Sequence, residues 1–177
     1  MARDAHNGVM SPHVEPFRVM FVCTGNICRS PMAEVVFRCL AERAGLRDHL
    51  VASSSGLDDW HVGECADSRT VAALRRRGYD GSAHRARQFA VADFDRHDLL
   101  VALDRWHSRA LAVQAPTPSD ADKIALLLSF DPEAGGRLDV PDPYYDGGRM
   151  FDEVLGMIER ASRALFGQLE PALRQPR

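Results

Sequence analysis

The chain has 177 residues, with 22 Lys and Arg against 25 Asp and Glu and a formal net charge of −3. That length favours one domain able to bury its own core, and the slightly acidic balance argues against a nucleic-acid or anionic-membrane partner. The four cysteines, Cys23, Cys28, Cys39 and Cys65, lack the paired spacing of a zinc site and are too few for a disulfide framework in a chain of this length; a reducing cytoplasm, no metal and no cofactor are expected.

Residues 1–16 are polar and turn-rich, with no apolar run of signal-peptide type, and read as a flexible N-terminal tail. A single domain is expected over 17–170, with a C-terminal tail over 171–177. No stretch suits a bilayer span. Val19 to Val22 is a short apolar run that predicts a buried strand. A tight loop follows, Cys23-Thr24-Gly25-Asn26-Ile27-Cys28-Arg29, in which Gly25 and Asn26 are available for positive φ. Ser30 is suited to cap a helix and Pro31 to its first position, and Ala33, Phe37, Leu40, Ala41 and Ala44 recur at helical spacing up to Gly45.

Further along, His49 to Ser53 reads as a second strand. Asp67 predicts the cap of a helix running through Val71 and Leu74 to Gly78, and Asp80-Gly81 a turn. Asp98 to Leu103 is a third apolar strand, ending at Asp104. A helix over 105–114 follows, stopped by Pro116 and Pro118. Ile124 to Leu128 predicts a fourth strand, and 149–166 a last helix with Phe151, Val154, Leu155, Ile158, Ala161 and Leu165 on one stripe. Strands that are apolar throughout and alternate with helices imply a parallel sheet covered on both faces. Ligands of such sheets bind outside the carboxyl ends of the strands, where Cys23, Ser53 and Asp104 fall.

Cysteine, five residues, then arginine, set between a strand and a helix, is the arrangement that thiolate chemistry on a phosphate monoester needs. The loop can turn successive backbone N–H groups inward as an anion nest, and the helix N-terminus adds partial positive charge. The same field favours the thiolate form of Cys23. Arg29 offers a planar fork that holds two phosphate oxygens at once. The departing oxygen also needs a proton. Asp142, in the Pro-stiffened stretch Asp139-Val140-Pro141-Asp142-Pro143-Tyr144-Tyr145-Asp146, is a candidate general acid, since a bound phosphate dianion disfavours a second negative charge beside it. On the residues alone Asp142 reads equally as the start of a turn.

Val22-Cys23-Thr24-Gly25-Asn26-Ile27-Cys28-Arg29-Ser30-Pro31 resembles the signature of the low-molecular-weight protein-tyrosine phosphatases, V-C-x-G-N-I-C-R-S-P, at every fixed position. Asp142-Pro143-Tyr144-Tyr145 resembles the general-acid loop of that family, and Asp59-Trp60-His61-Val62-Gly63 together with Gly63 to Asp67 is most similar to the actinobacterial branch. The resemblance runs from about Phe17 to Phe166. It departs from the family at Asp146-Gly147-Gly148, where Gly directly follows the two tyrosines elsewhere.

The resemblance implies a three-layer α/β sandwich with a four-stranded parallel sheet, and hydrolysis of protein phosphotyrosine through a phosphocysteine on Cys23, with Arg29 as clamp and Asp142 as acid and then base. It implies that the loop from Thr24 through Gly25, Asn26, Ile27 and Cys28 binds phosphate, and that Ser30 donates to the thiolate. Tyr144 and the more exposed Tyr145 would form one wall of the pocket and Trp60 with His61 the other, Trp60 in the core being the alternative. Asn26 would be held strained by a serine matching Ser53 and a histidine matching His84; the run Ser53-Ser54-Ser55 leaves the serine ambiguous, and His84 reads equally as a surface residue. Cys28 is placed to form a redox bridge with Cys23, or simply to pack under the loop. Partners implied are tyrosine-phosphorylated protein substrates, a tyrosine kinase among them, and the enzyme itself is expected to be a cytoplasmic monomer. Arsenate reductases share the loop but use cysteines further along the chain, and none follows Cys65 here. Protein-arginine phosphatases carry Thr where this chain has Ile27.

Overall fold

A computed structural model describes residues 15–175; the residues assigned to the N-terminal tail up to position 14, and residues 176–177, lie outside it. Four parallel strands, β1 (Phe17–Cys23), β2 (Leu50–Gly56), β3 (Leu99–Ala102) and β4 (Ile124–Leu126), stand in the order β2-β1-β3-β4. The helices are α1 (Arg29–Arg43), α2 (Ser68–Arg76), α3 (Asp93–Arg96), α4 (Arg105–Gln114), α5 (Pro118–Ala121) and α6 (Gly148–Leu173). This is the expected three-layer α/β sandwich.

β1 is central, and its alternation feeds both layers. Val19, Phe21 and Cys23 face a large core shared with α1 and α6, where Phe37 stacks edge-on against Phe21 and Phe166. Met20 and Val22 face a smaller core with Phe94, Leu100 and Leu111. The chain leaves β1 for β2 on one side and later for β3 on the other, so the carboxyl end of β1 is the switch point of the sheet. That end carries Cys23, with Gly56 beside it in register.

Several boundaries differ from those expected. β2 extends to Gly56 because its pairing with β1 continues to Cys23. β4 stops at Leu126, and Leu127 to Phe130 coil into a 3₁₀ turn that buries Leu127 and Leu128. α1 begins at Arg29, with Cys28 in the capping position and making no side-chain cap, so Ser30 is not the cap; its hydroxyl is turned to the loop instead. Asp67 does cap α2, accepting from Arg69 N at 2.8 Å. α6 runs on past Phe166 to Leu173, which is buried in the main core, so 171–173 are helix rather than tail. No helix among the described residues is long and apolar enough to cross a membrane.

Candidate active site

The loop from Cys23 to Arg29 is held by its middle. Asn26 takes φ of 57°, the one non-glycine residue in the left-handed region among those described, and is fully buried. Such a conformation persists only when its surroundings over-determine it. Asn26 Nδ2 donates to Ser30 Oγ (2.8 Å) and Ser54 Oγ (2.9 Å), its Oδ1 accepts from Arg87 N (2.9 Å), and its carbonyl pairs with His84 Nε2 (2.7 Å). Ser54 Oγ in turn donates to Glu34 Oε2 at 2.5 Å.

The network serine is therefore Ser54. Ser53 stands in register with Met20 and so faces the other layer, where it pairs with His97 Nε2 at 3.0 Å; Ser54 stands in register with Phe21 and faces α1. Gly25 does not use positive φ. Its role is close approach, since a Cβ there would lie 2.9 Å from His61 Cδ2. Gly56 serves the loop in the same way, because a Cβ on it would meet Thr24 O at 2.6 Å.

Cys23 Sγ lies 2.9 Å from Ser30 Oγ, and both are buried. Arg29 is fixed by Asp104 Oδ2 (2.9 Å) and Val140 O (3.1 Å) at Nη1, and by Thr24 Oγ1 (3.3 Å) and Asp142 Oδ2 (3.1 Å) at Nη2. Burial opposes ionisation of Asp104, but the His107 imidazole and backbone N–H beside it, with the Arg29 guanidinium, outweigh it and bring Asp104 down to about 2. His107, fully buried on α4, places Nε2 2.9 Å from Thr24 Oγ1.

Together these residues enclose a pocket of about 340 Å³. Its floor is Cys23, Thr24, Gly25, Ile27, Cys28 and Arg29, with Asn26 buried behind them; Trp60 and His61 form one wall, Tyr144 and Tyr145 the other, and Asp142 sits at the rim. Trp60 is 75% exposed, so it belongs to the wall and not to the core. The His61 ring is held by Glu64 at 2.7 Å. Tyr144 packs edge-on against Tyr145, which is 92% exposed. The Arg69 guanidinium lies over the rings of Tyr144 and Phe151 and is anchored by Asp67, tying this wall to the start of α2. Asp142 Oδ1 accepts from Tyr144 N at 3.2 Å. The departure at Asp146-Gly147-Gly148 forms the turn into α6, with Asp146 O accepting from Arg69. Cys28 is buried at the loop, and burial, reinforced by the charges of Asp67 and Cys23, pushes its thiol up to about 12.

Sequence reasoning missed Glu34, Arg69 and His107, left Ser54 as one of three candidate serines, and gave Asp104 a position without a role. Alternation sets Ser54 on the opposite face from Ser53 and Ser55, but which face meets α1 depends on the register with β1. Nothing local could have found His107, which is 83 residues from the Thr24 it touches.

A family model described as low molecular weight phosphotyrosine protein phosphatase matches residues 18–175. A low molecular weight protein-tyrosine-phosphatase of Streptomyces coelicolor is 58% identical over 151 residues, covering 85% of this chain and 92% of the relative. The low molecular weight protein-tyrosine phosphatase A of Mycobacterium tuberculosis is 44% identical over 160 residues, covering 90% and 95%. Among solved structures, YfkJ from Bacillus subtilis superposes with a TM-score of 0.82 at 36% identity, covering 90% of this chain and 98% of that one. A protein tyrosine phosphatase from Entamoeba histolytica with Hepes in its active site gives 0.83 at 32% identity, covering 88% and 98%.

Proposed function

Because the chain belongs to the low molecular weight phosphotyrosine protein phosphatase family and is a protein-tyrosine phosphatase, we propose that it hydrolyses phosphotyrosine in proteins by way of a phosphocysteine on Cys23. The observation that supports this reading is the meeting, in one pocket, of Cys23, Arg29 and Asp142 from segments far apart in the chain.

In the first step the Cys23 thiolate attacks phosphorus in line; the S–P bond forms as the bond to the tyrosine oxygen breaks. Asp142, protonated in the substrate complex, gives its proton to that oxygen. Ser30 donates to the thiolate before attack and again as it leaves. Asp104, Val140 O and Thr24 occupy N–H groups of Arg29 on its inner side, leaving Nε–H and the Nη2–H that now holds Asp142 for two equatorial phosphate oxygens. An arriving phosphate thus takes the place of Asp142 on the clamp and frees the acid for the leaving oxygen. In the second step water attacks the phosphocysteine, Asp142 takes the water proton, and Cys23 departs as thiolate.

Protein substrates carrying phosphotyrosine, a tyrosine kinase among them, are the partners this reading names. Comparing Asp142→Ala with the parent on phosphotyrosine peptide and on an aryl phosphate with a very acidic phenol tests it. The loss should be large on phosphotyrosine and smaller where the leaving group needs no proton; equal losses would remove Asp142 from proton transfer. Cys23→Ser should abolish turnover of both.

A further inference from the structure

His107 touches neither the pocket nor any group that reacts, yet it closes a ring of contacts around the phosphate clamp. Asp104 Oδ2 accepts from Arg29 Nη1 at 2.9 Å, while its Oδ1 accepts from the His107 backbone N at 2.8 Å and lies 2.9 Å from His107 Nδ1, off the ring N–H axis. His107 Nε2 is 2.9 Å from Thr24 Oγ1, and Thr24 Oγ1 is 3.3 Å from Arg29 Nη2, which completes the circuit. The histidine is fully buried, so water does not reach its ring nitrogens.

The carboxylate fixes the polarity of this circuit. In the tautomer that puts the proton on Nδ1, the nitrogen nearer the Asp104 anion, Nε2 is left as an acceptor. The Thr24 hydroxyl proton therefore points at His107, and its lone pairs point at Arg29. Without that acceptor the hydroxyl could rotate and present its proton towards the guanidinium, where a donor meets a donor.

We infer that His107 is a positioning residue of the phosphatase reaction, acting through the Thr24 hydroxyl to hold the Arg29 guanidinium in the plane that fits the bipyramidal transition state. The inference rests on the phosphocysteine reading, in which Arg29 grips phosphate. It assigns the side chain of Thr24, the residue directly after the nucleophile, to the back of the clamp and not to the substrate. Asp104 holds both ends of the circuit, and because it also caps α4 through the His107 N–H, the helix sets the height of the imidazole.

The test is a double-mutant cycle on full-length enzyme. Thr24→Val and His107→Leu should each lower kcat/KM by about tenfold, the scale of misplacing a clamp without removing it, and the double variant should lose no more than either single one. Affinity for vanadate, which mimics the five-coordinate transition state, should fall by the same factor, and affinity for inorganic phosphate by less. His107→Gln can accept the same proton through its side-chain oxygen, and Thr24→Ser keeps the hydroxyl; both should stay within about threefold of the parent. Losses that multiply in the double variant, or vanadate affinity unchanged in Thr24→Val, overturn the inference; Thr24→Val decides it even should His107→Leu not fold. Cys23→Ser separates the two claims, since turnover surviving in that variant refutes the phosphocysteine reading itself.

Discussion

Ser54 Oγ donates to Glu34 Oε2 at 2.5 Å while accepting from Asn26 Nδ2 at 2.9 Å, so a strand serine joins the strained loop residue to a carboxylate on α1. Its neighbour Ser53 faces the opposite layer and bonds His97.

Ser54→Ala leaves a buried Asn26 N–H group without its partner, and kcat/KM should fall by about tenfold as the loop relaxes. Ser53→Ala should keep activity within about twofold, since it touches nothing in the loop. Steady-state kinetics on both variants decides it, and the reverse ranking would reassign the network to Ser53.

Asp104 couples the site to stability. Its folded-state value is depressed, so its contribution is fully present above the unfolded carboxylate range near pH 4 and is lost as pH falls towards about 2. Asp104→Asn should therefore lower stability at pH 7 by on the order of 2 kcal/mol, and flatten the pH dependence between about 4 and 2. Urea unfolding at pH 7, 4 and 3 measures this. A variant with unchanged acid sensitivity would place the stabilising charge elsewhere.

We propose that oxidation bridges the two loop cysteines, by a step that burial slows. Peroxide converts the Cys23 thiolate to sulfenic acid; the Cys28 thiolate then attacks that sulfur, forming the S–S bond and releasing hydroxide. Because the Cys28 thiol is pushed up to about 12, little thiolate is present at neutral pH, and protection should improve steadily as pH rises. The dithiothreitol-recoverable fraction after a fixed peroxide dose should grow between pH 6 and 9, and Cys28→Ser should be lost irreversibly. Recovery of Cys28→Ser equal to the parent, with no 23–28 bridge by mass spectrometry, would leave Cys28 as packing alone.

The pocket walls should select a ring. Phosphotyrosine peptides should exceed phosphoserine peptides strongly, because Trp60 and Tyr144 stand on opposite walls and offer a ring faces to pack on. Tyr144→Ala should cost about fivefold in kcat/KM on phosphotyrosine, the scale of one aromatic contact. Ile27→Thr should weaken tyrosine activity and admit phosphoarginine. Comparable kcat/KM on phosphoserine peptides would remove the walls from selectivity.

The sequence by itself determined the strand-loop-helix unit at Cys23, the alternation that makes a parallel sheet, and the cap at Asp67. These are legible because hydrophobic period, loop residues and caps act over a few neighbours in the chain. The resemblance of the Cys23–Pro31 and Asp142–Tyr145 stretches supplied the reaction class. Tertiary structure alone decided which of three consecutive serines supports Asn26, since the choice depends on the register that sets Ser54 beside Phe21. It alone brought His107 to Thr24 and Asp104 to Arg29. Such contacts depend on the order in which strands are laid beside β1, and side chains 75 or more residues apart carry no local sign of where the sheet will place them.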